Sequence, residues 1–398
     1  MVMQSLNRPL KLVGAIAILP LTAVAVFGAA YDLPDQDAFA IGRGMAVVAT
    51  ADNPSAIYYN PAGITQLEGN NLRAGIYGIY LDPSYKNPAT GQTFDNQFKY
   101  HAIPQLYYTY GRTNWPVSFG LGSYSPFGLA VIWPQNAGFA PVATEGRLFT
   151  ETINPVIAFK LSPELSIGGG VMVNYAKLNL QNTMFQFHGD GWDVGYNLGV
   201  RWQPSEKVSL GATFHSGSTM NYHGTTYVSG LGSSPSYSQW PFPLKAIFGI
   251  SYRPTPKWNL EFDADYTDWS ALGTVSVHQF SPPLSVFVPT ISDPLNWQSS
   301  WYFEWGATRY FDNGWHVSAG YIFNQNSVPD ANYSPLVADL DRHFVSVGVG
   351  HKGKKFDFDI AYQFGYGPTR TISSSGGPQN GDYSFISHAI AVSGGWHF

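Results

Sequence analysis

Trp192-Asp-Val-Gly-Tyr-Asn-Leu-Gly-Val-Arg-Trp202 decides the fold. Its even-numbered residues, Trp192, Val194, Tyr196, Leu198, Val200 and Trp202, are all apolar or aromatic. Its odd-numbered ones, Asp193, Gly195, Asn197, Gly199 and Arg201, are polar or minimal. A β-strand sends successive side chains to opposite faces, so this stretch has one greasy face and one wet face. Trp at both ends of the greasy face is the profile of a strand crossing a bilayer, with aromatic girdles at the two interfaces and a polar lumen behind.

The pattern recurs. Trp258, Leu260, Phe262, Ala264 and Tyr266 alternate with Asn259, Glu261, Asp263 and Asp265. Phe356, Phe358, Ile360, Tyr362, Phe364 and Tyr366 oppose Asp357, Asp359 and Gln363. A Lys or Arg on the lipid side costs about 2–4 kcal/mol near the midplane. Glu261, Asp263, Asp265, Asp357, Asp359, Arg201, Lys245 and Arg253 are therefore expected to face the lumen. The alternation is less clean in 99–111 and 147–161.

Composition agrees. The 398 residues are 16% aromatic but 12% charged, where an ordinary globular domain is about 25% charged. Mean hydropathy is −0.11. Beyond the N-terminus no run approaches the roughly 20 apolar residues of a membrane helix. A soluble array of β-sandwiches is the bland alternative, and it gives no reason for so many Trp and Tyr at strand ends.

Residues 1–30 read as a secretory signal, with Arg8 and Lys11 in the positive region and Leu12 to Phe27 as the apolar core. Gly28 and Ala30 place cleavage after Ala30. A retained anchor helix is opposed by Pro20 and the short apolar run. Removing Arg8 and Lys11 from the 21 basic residues leaves 19 against 26 acidic, a net charge of −7. That excludes any charge-based reason to expect a nucleic acid as partner. The chain has no Cys, which is compatible with an exported barrel that needs no disulfides.

Fourteen strands are expected, near 71–83, 99–111, 115–125, 147–161, 164–180, 191–203, 207–220, 242–253, 257–269, 297–311, 314–325, 340–351, 355–366 and 384–398. Short turns such as Arg112-Thr113-Asn114, Ser162-Pro163 and Asp312-Asn313 alternate with long connections such as 126–146, 221–241, 270–296 and 367–383. Short turns on one side and long loops on the other mark an outer-membrane barrel. The even count puts both ends of the barrel on the periplasmic side. The fold class expected is all-β, a transmembrane antiparallel barrel of 14 strands spanning 71–398. Its lipid-facing surface makes outer-membrane lipid and lipopolysaccharide its surroundings. The final strand ends on Ile390, Val392, Trp396 and Phe398 in alternation. A terminal aromatic resembles the signal by which the barrel assembly machinery recognises its clients.

Residues 31–70 do not alternate. They hold Gly42-Arg43-Gly44 and, further on, Asn60-Pro61-Ala62-Gly63. A fourteen-stranded barrel is too wide for side chains alone to fill. Forty compact residues before the first strand would form a plug. Pro61 fixes φ and pushes Asn60 extended, and the Asn60 side chain can tie down backbone groups. Arg43 is expected to pair with a lumenal carboxylate such as Asp357 or Glu261.

These residues resemble a known family, the FadL/TodX (OmpP1) outer-membrane transporters of long-chain fatty acids and other hydrophobic compounds. The resemblance rests on Gly-Arg-Gly at 42–44, Asn-Pro-Ala-Gly at 60–63 and the Asp-x-x-Ser-Ala at 52–56. It extends to the strand count, Tyr-Thr-Asp-Trp-Ser at 266–270 and Asp-x-Asp-Arg at 339–342, and so covers 31–398. It implies a plugged barrel whose third strand is kinked to open the wall sideways; Pro126, Phe127 and Gly128 fall at the matching position. Read from the residues alone, strand three either bends there or ends at Ser125. The connection 181–190 is shorter than the resemblance leads one to expect, and Phe280 to Pro294 is an added Pro-rich apolar stretch.

The long connections are apolar for water-facing chain. Trp133, Phe139 and Phe287 are candidates for solute contact, with Lys245 or Arg253 as partners for a carboxylate head group; packing of the loops on one another is the alternative. The function expected is passive uptake of a hydrophobic small molecule, a fatty acid or an aromatic hydrocarbon, through a monomer in the bacterial outer membrane, without cofactor or metal. A non-specific diffusion porin is the rival, followed by an outer-membrane enzyme or an adhesin. An enzyme is not expected. The ten His residues include no H-E-x-x-H, and no G-x-S-x-G occurs. Gly168-Gly-Gly170 reads as close packing, and Gly42-x-Gly44 lacks the preceding strand of a dinucleotide site.

Overall fold

Burial alternates residue by residue along the long strands, and this alternation turns a ribbon into a barrel. Trp192 and Val194 are 62% and 65% exposed, whereas Asn197 on the opposite face is fully buried. The computed structural model describes residues 30–398. The expected signal sequence, apart from Ala30, lies outside the described residues.

The described residues form fourteen antiparallel wall strands. Strands 1 to 5 are Gly69–Lys86, Tyr100–Gly111, Val117–Tyr124 (resuming as Gly128–Ile132), Glu145–Lys160 and Leu165–Gln181. Strand 6 is Phe185–Ser205, strand 7 Val208–His215 continuing as Ser218–Val228, and strand 8 Gly232–Phe242 continuing as Lys245–Thr255. Strands 9 to 14 are Trp258–Thr267, Ser300–Tyr310, Trp315–Asn324, Arg342–Lys352, Phe356–Ile372 and Gly381–His397. Strand 1 closes the cylinder by pairing with strand 14, from Asn71↔His397 to Lys86↔Asp382. Phe398 exchanges backbone hydrogen bonds with Asn70 at 3.0 Å in both directions.

Several expected loops are strand instead. Strand 7 and strand 8 run on as a hairpin from Ser218↔Phe242 to Val228↔Gly232. Strand 13 reaches Ile372, and strand 6 begins at Phe185, so 182–184 is the whole turn after strand 5. A further hairpin, Thr274–Gln279 with Thr290–Pro294, lies within 270–296. Beyond the bilayer no face must be apolar, so such strands carry no alternating signature. Ser233, Ser234, Ser236 and Ser238 fall in one of them.

Residues 31–66 contact the inward face around the circumference. They comprise the short helices Ala38–Gly42 and Ala56–Tyr59 and the 3₁₀ turn Pro61–Gln66. The backbone here lies so close to the wall that a Cβ on Gly320 would overlap the Gly44 amide, and one on Gly168 would meet Pro61. Gly44 itself has φ +64°, a conformation that favours glycine.

Leu198 faces outward midway between Trp192 and Trp202. Leu198→Arg is expected to destabilise the folded barrel by about 2–4 kcal/mol. Asn197→Ser, on the inner face, should not share this lipid-transfer cost. Equilibrium unfolding of the vesicle-embedded protein in denaturant measures both.

Candidate functional site

Buried charges hold the N-terminal segment. Glu261 and Asp263 sit two residues apart on strand 9, so both face inward. Glu261 Oε1 accepts from the amides of Ala49 (2.7 Å) and Thr50 (3.1 Å), and its Oε2 meets Arg43 Nη2 at 3.2 Å and the Thr50 hydroxyl. Asp263 Oδ2 accepts from the amides of Val47 and Val48, both at 2.8 Å. Four consecutive amides that would be orphaned inside the barrel are thereby satisfied. Of the two partners considered for Arg43, the structure brings Glu261 to it.

Asp357 belongs instead to Arg73, a residue that sequence reading passed over. Arg73 contacts Asp37 (2.5 Å), Asp357 (2.9 Å) and Asp359 (2.7 Å), joining the segment to strands 1 and 13. The one signal for it was its inward parity on strand 1. Asn60 Oδ1 accepts from the Ala62 amide at 3.2 Å, and its Nδ2 donates to Val48 O and Val200 O at 2.8 and 3.0 Å. Gly42, Arg43, Gly44, Asn60, Pro61, Ala62 and Gly63 are all buried in this packing.

Strand 3 is broken at Ser125, Pro126 and Phe127. Its ladder to strand 2 runs from Gly111↔Ser118 to Leu106↔Ser123 and stops. Above the break the chain reattaches where the Gln97 amide donates to Ile132 O at 2.8 Å. Between these points, Phe98 to Gln105 and Tyr124 to Val131 border a window in the wall. On the strand 4 side, pairing passes from Tyr124↔Thr152 to Gly128↔Phe149, so three residues face two, a bulge. Thr150 Oγ1 donates to Phe127 O at 2.6 Å there.

The N-terminal segment lies across the inner side of the window. The Leu33 amide donates to Pro126 O (2.9 Å) and the Gly128 amide to Tyr31 O (2.8 Å). Gln36 Nε2 donates to Ser125 O at 2.7 Å, and Gln105 Nε2 to Asp35 O at 3.3 Å. Phe127 points into an aromatic cluster. Its ring centroid is 5.9 Å from Tyr31 and 4.9 Å from Phe242, and Tyr31 is 4.7 Å from Trp269 and 5.7 Å from Trp297. The break, the segment, strand 8 and the connection between strands 9 and 10 thus share one apolar core.

The other candidates are scattered. Trp133 and Phe139 are fully buried, 5.3 Å apart, and Trp133 Nε1 donates to Pro335 O at 2.9 Å, so they pack the external connections together. Phe287 is 70% exposed on the short helix Leu284–Phe287. Lys245 is buried, with Nζ 2.6 Å from Asp32 and 3.0 Å from Asp265, so a solute carboxylate would have to displace both. Arg253 is half-buried near the turn end of strand 8.

Asp35 accepts from Gln363 Nε2 at 3.2 Å, and burial pushes its carboxyl up to about 7. The seated segment then holds a proton that a released segment gives up at lower pH. Its contribution favours seating in acid and is lost as pH rises through about 7. Protease protection of residues 31–66 is expected to fall between about pH 5.5 and pH 8, and Asp35→Asn to flatten that difference. Glu261→Ala, which strands the Arg43 charge, should weaken seating by roughly 3–5 kcal/mol in the same assay.

The chain was compared with known proteins. Residues 19–396 match the family described as outer membrane protein transport protein (OMPP1/FadL/TodX). The long-chain fatty acid transport proteins of Salmonella typhi and Escherichia coli K12 are 22% and 21% identical, with 96% of each chain covered. Among solved structures, a Pseudomonas aeruginosa FadL homologue aligns with TM-score 0.83 at 16% identity, covering 93% of this chain and all of that one. The Pseudomonas putida toluene transporter TodX aligns with TM-score 0.74 at 16% identity over the same shares. A fourteen-stranded wall with this match across its length places the protein in the bacterial outer membrane, and the chain belongs to the OMPP1/FadL/TodX family of outer-membrane transport proteins.

Proposed function

We propose that this protein is a passive channel through which a hydrophobic small molecule enters the cell, leaving sideways through the window in strand 3. Residues 1–30 act as signal, 31–70 as plug and 71–398 as barrel. The observation that carries this reading is the window itself, open on the strand 2 side and backed by Tyr31 to Gln36. An apolar solute passing from the lumen into the bilayer never enters periplasmic water, and each buried CH₂ favours that path by about 0.8 kcal/mol. External connections such as 280–290, where Phe287 is exposed, capture the solute. Displacement of Tyr31 to Gln36 then clears the inner side of the window. The long-chain fatty acid transport protein of Escherichia coli K12 and the toluene transporter TodX, to which this chain is similar, support a hydrophobic cargo.

The filled interior favours this reading over a diffusion porin, because residues 31–66 occupy the inward face around the circumference. Lipopolysaccharide and outer-membrane lipid surround the lipid-facing side chains. The exposed Trp396 and Phe398 at the end of strand 14 serve recognition by the barrel assembly machinery.

Deleting Pro126 removes the extra residue of the bulge, so strand 3 can pair one-for-one with strand 4 and rejoin strand 2. Uptake of radiolabelled toluene and of a long-chain fatty acid by cells expressing this variant is expected to fall to the level of cells without the protein. Deleting residues 31–66 is expected to admit a small hydrophilic sugar that the intact protein excludes. Undiminished hydrophobic uptake after loss of Pro126 would rule out the lateral path, and free sugar flux through the intact protein would leave a porin.

A further inference from the structure

Glu151 stands where a barrel wall rarely places a carboxylate. On strand 4 the even-numbered Thr150, Thr152 and Asn154 are buried inward, and the odd-numbered Ile153 and Ile157 are exposed outward. Glu151 shares their outward parity. Its register partner is Tyr175, which in turn pairs with Trp192, so it lies at the depth of the outer aromatic girdle. Its two oxygens accept from the hydroxyls of Ser123 (2.5 Å) and Ser125 (3.4 Å), the residues at the lower corner of the window. Two hydroxyls fix the carboxyl group, and neither supplies a positive charge.

Most other charges around the window are paired, while outward-facing Lys177 on strand 5 lies with its Nζ 5.7 Å from the centroid of the Tyr175 ring. Lys99 lies 2.6 Å from Asp82, and Arg147 2.9 Å from Glu145 with its guanidinium over the Phe98 ring. On the inner side Lys245 is held by Asp32 and Asp265, and the Asp35 side chain takes an amide donor from Gln363. Among the described residues no ion pair is formed by Glu151. The mouth of the window therefore presents a carboxyl group outside any ion pair at the edge of hydrocarbon, where the effective dielectric is low and charge interactions are strong.

We propose that Glu151 is a charge filter at the membrane side of the window, so that the cargo leaves as an uncharged hydrophobe and carboxylate anions are held back. The inference rests on the lateral-exit reading above. Glu151→Gln removes the charge while keeping the shape, with its carbonyl accepting from one serine and its NH2 donating to the hydroxyl oxygen of the other, and Glu151→Asp keeps the charge.

The test compares entry of radiolabelled decanoate and 1-decanol at neutral pH in cells that lack other proteins of this family. Folding of each variant is checked by heat-modifiable mobility on a gel. Wild type should favour decanol. Glu151→Gln should raise decanoate entry by about threefold or more with decanol entry unchanged, while Glu151→Asp keeps the wild-type ratio. An unchanged decanoate-to-decanol ratio in Glu151→Gln, with or without a drop in both, reduces Glu151 to a clamp on the bulge and overturns the filter. Decanol entry that survives deletion of Pro126 overturns the lateral path itself, and the filter with it.

Discussion

Inside a bilayer every backbone N–H and C=O must find a partner within the protein, and the rest of this structure follows from that requirement. Fourteen antiparallel ladders closed between strands 1 and 14 meet it along most of the wall; pairing lapses between strands 6 and 7, from Asn197↔His215 to Asp190↔His223, and at the break in strand 3. There the chain borrows partners. Pro126 O and the Gly128 amide bond to Leu33 and Tyr31, Ser125 O is taken by Gln36, and Thr150 bonds to Phe127. The window and the N-terminal segment are one construction, because the hydrogen bonds missing from the wall are made by the segment behind it. Any motion that opens the window must hand those groups to water or to solute.

The same requirement explains the buried carboxylates. Residues 47–50 run as irregular backbone within the barrel, where unpaired amides are costly. Glu261 and Asp263 receive them, and Arg43 offsets the charge of Glu261. Arg73 does the corresponding work for Asp37 beside strand 13. Paired groups of this kind add little net stability over an apolar core, but removing one partner leaves an unpaired charge. They therefore specify where the segment sits more than how tightly the barrel holds together.

The two strands whose alternation was uneven in the sequence, 99–111 and 147–161, are the neighbours of the broken strand. Ala102 and Pro104 border the window on one side, and Glu151 marks it on the other. An outward position at a window need not be apolar, so the amphipathic rule lapses there for a physical reason. Pro126 and Gly128 signalled an interruption, but local chain chemistry is equally compatible with a bend and with a strand end. The burial of Trp133 and Phe139 was hidden for a related reason. An apolar residue in a connection has the same signature whether it waits for a solute or packs against another connection.

What the sequence by itself determined is the wall. Side-chain parity in strands, Trp at both ends of the greasy face and turn residues between them require only local geometry and the presence of lipid. The count of fourteen, the inward carboxylates and the outer-membrane setting follow from those. The tertiary structure alone decided which partners meet: Arg43 with Glu261, Arg73 with Asp37, Tyr31 with the rings of Phe127 and Trp269, and Leu33 with the free edge at Pro126. These contacts join residues far apart in the chain, and their choice depends on how barrel closure brings strands 3, 9 and 13 around one segment, which no local pattern encodes.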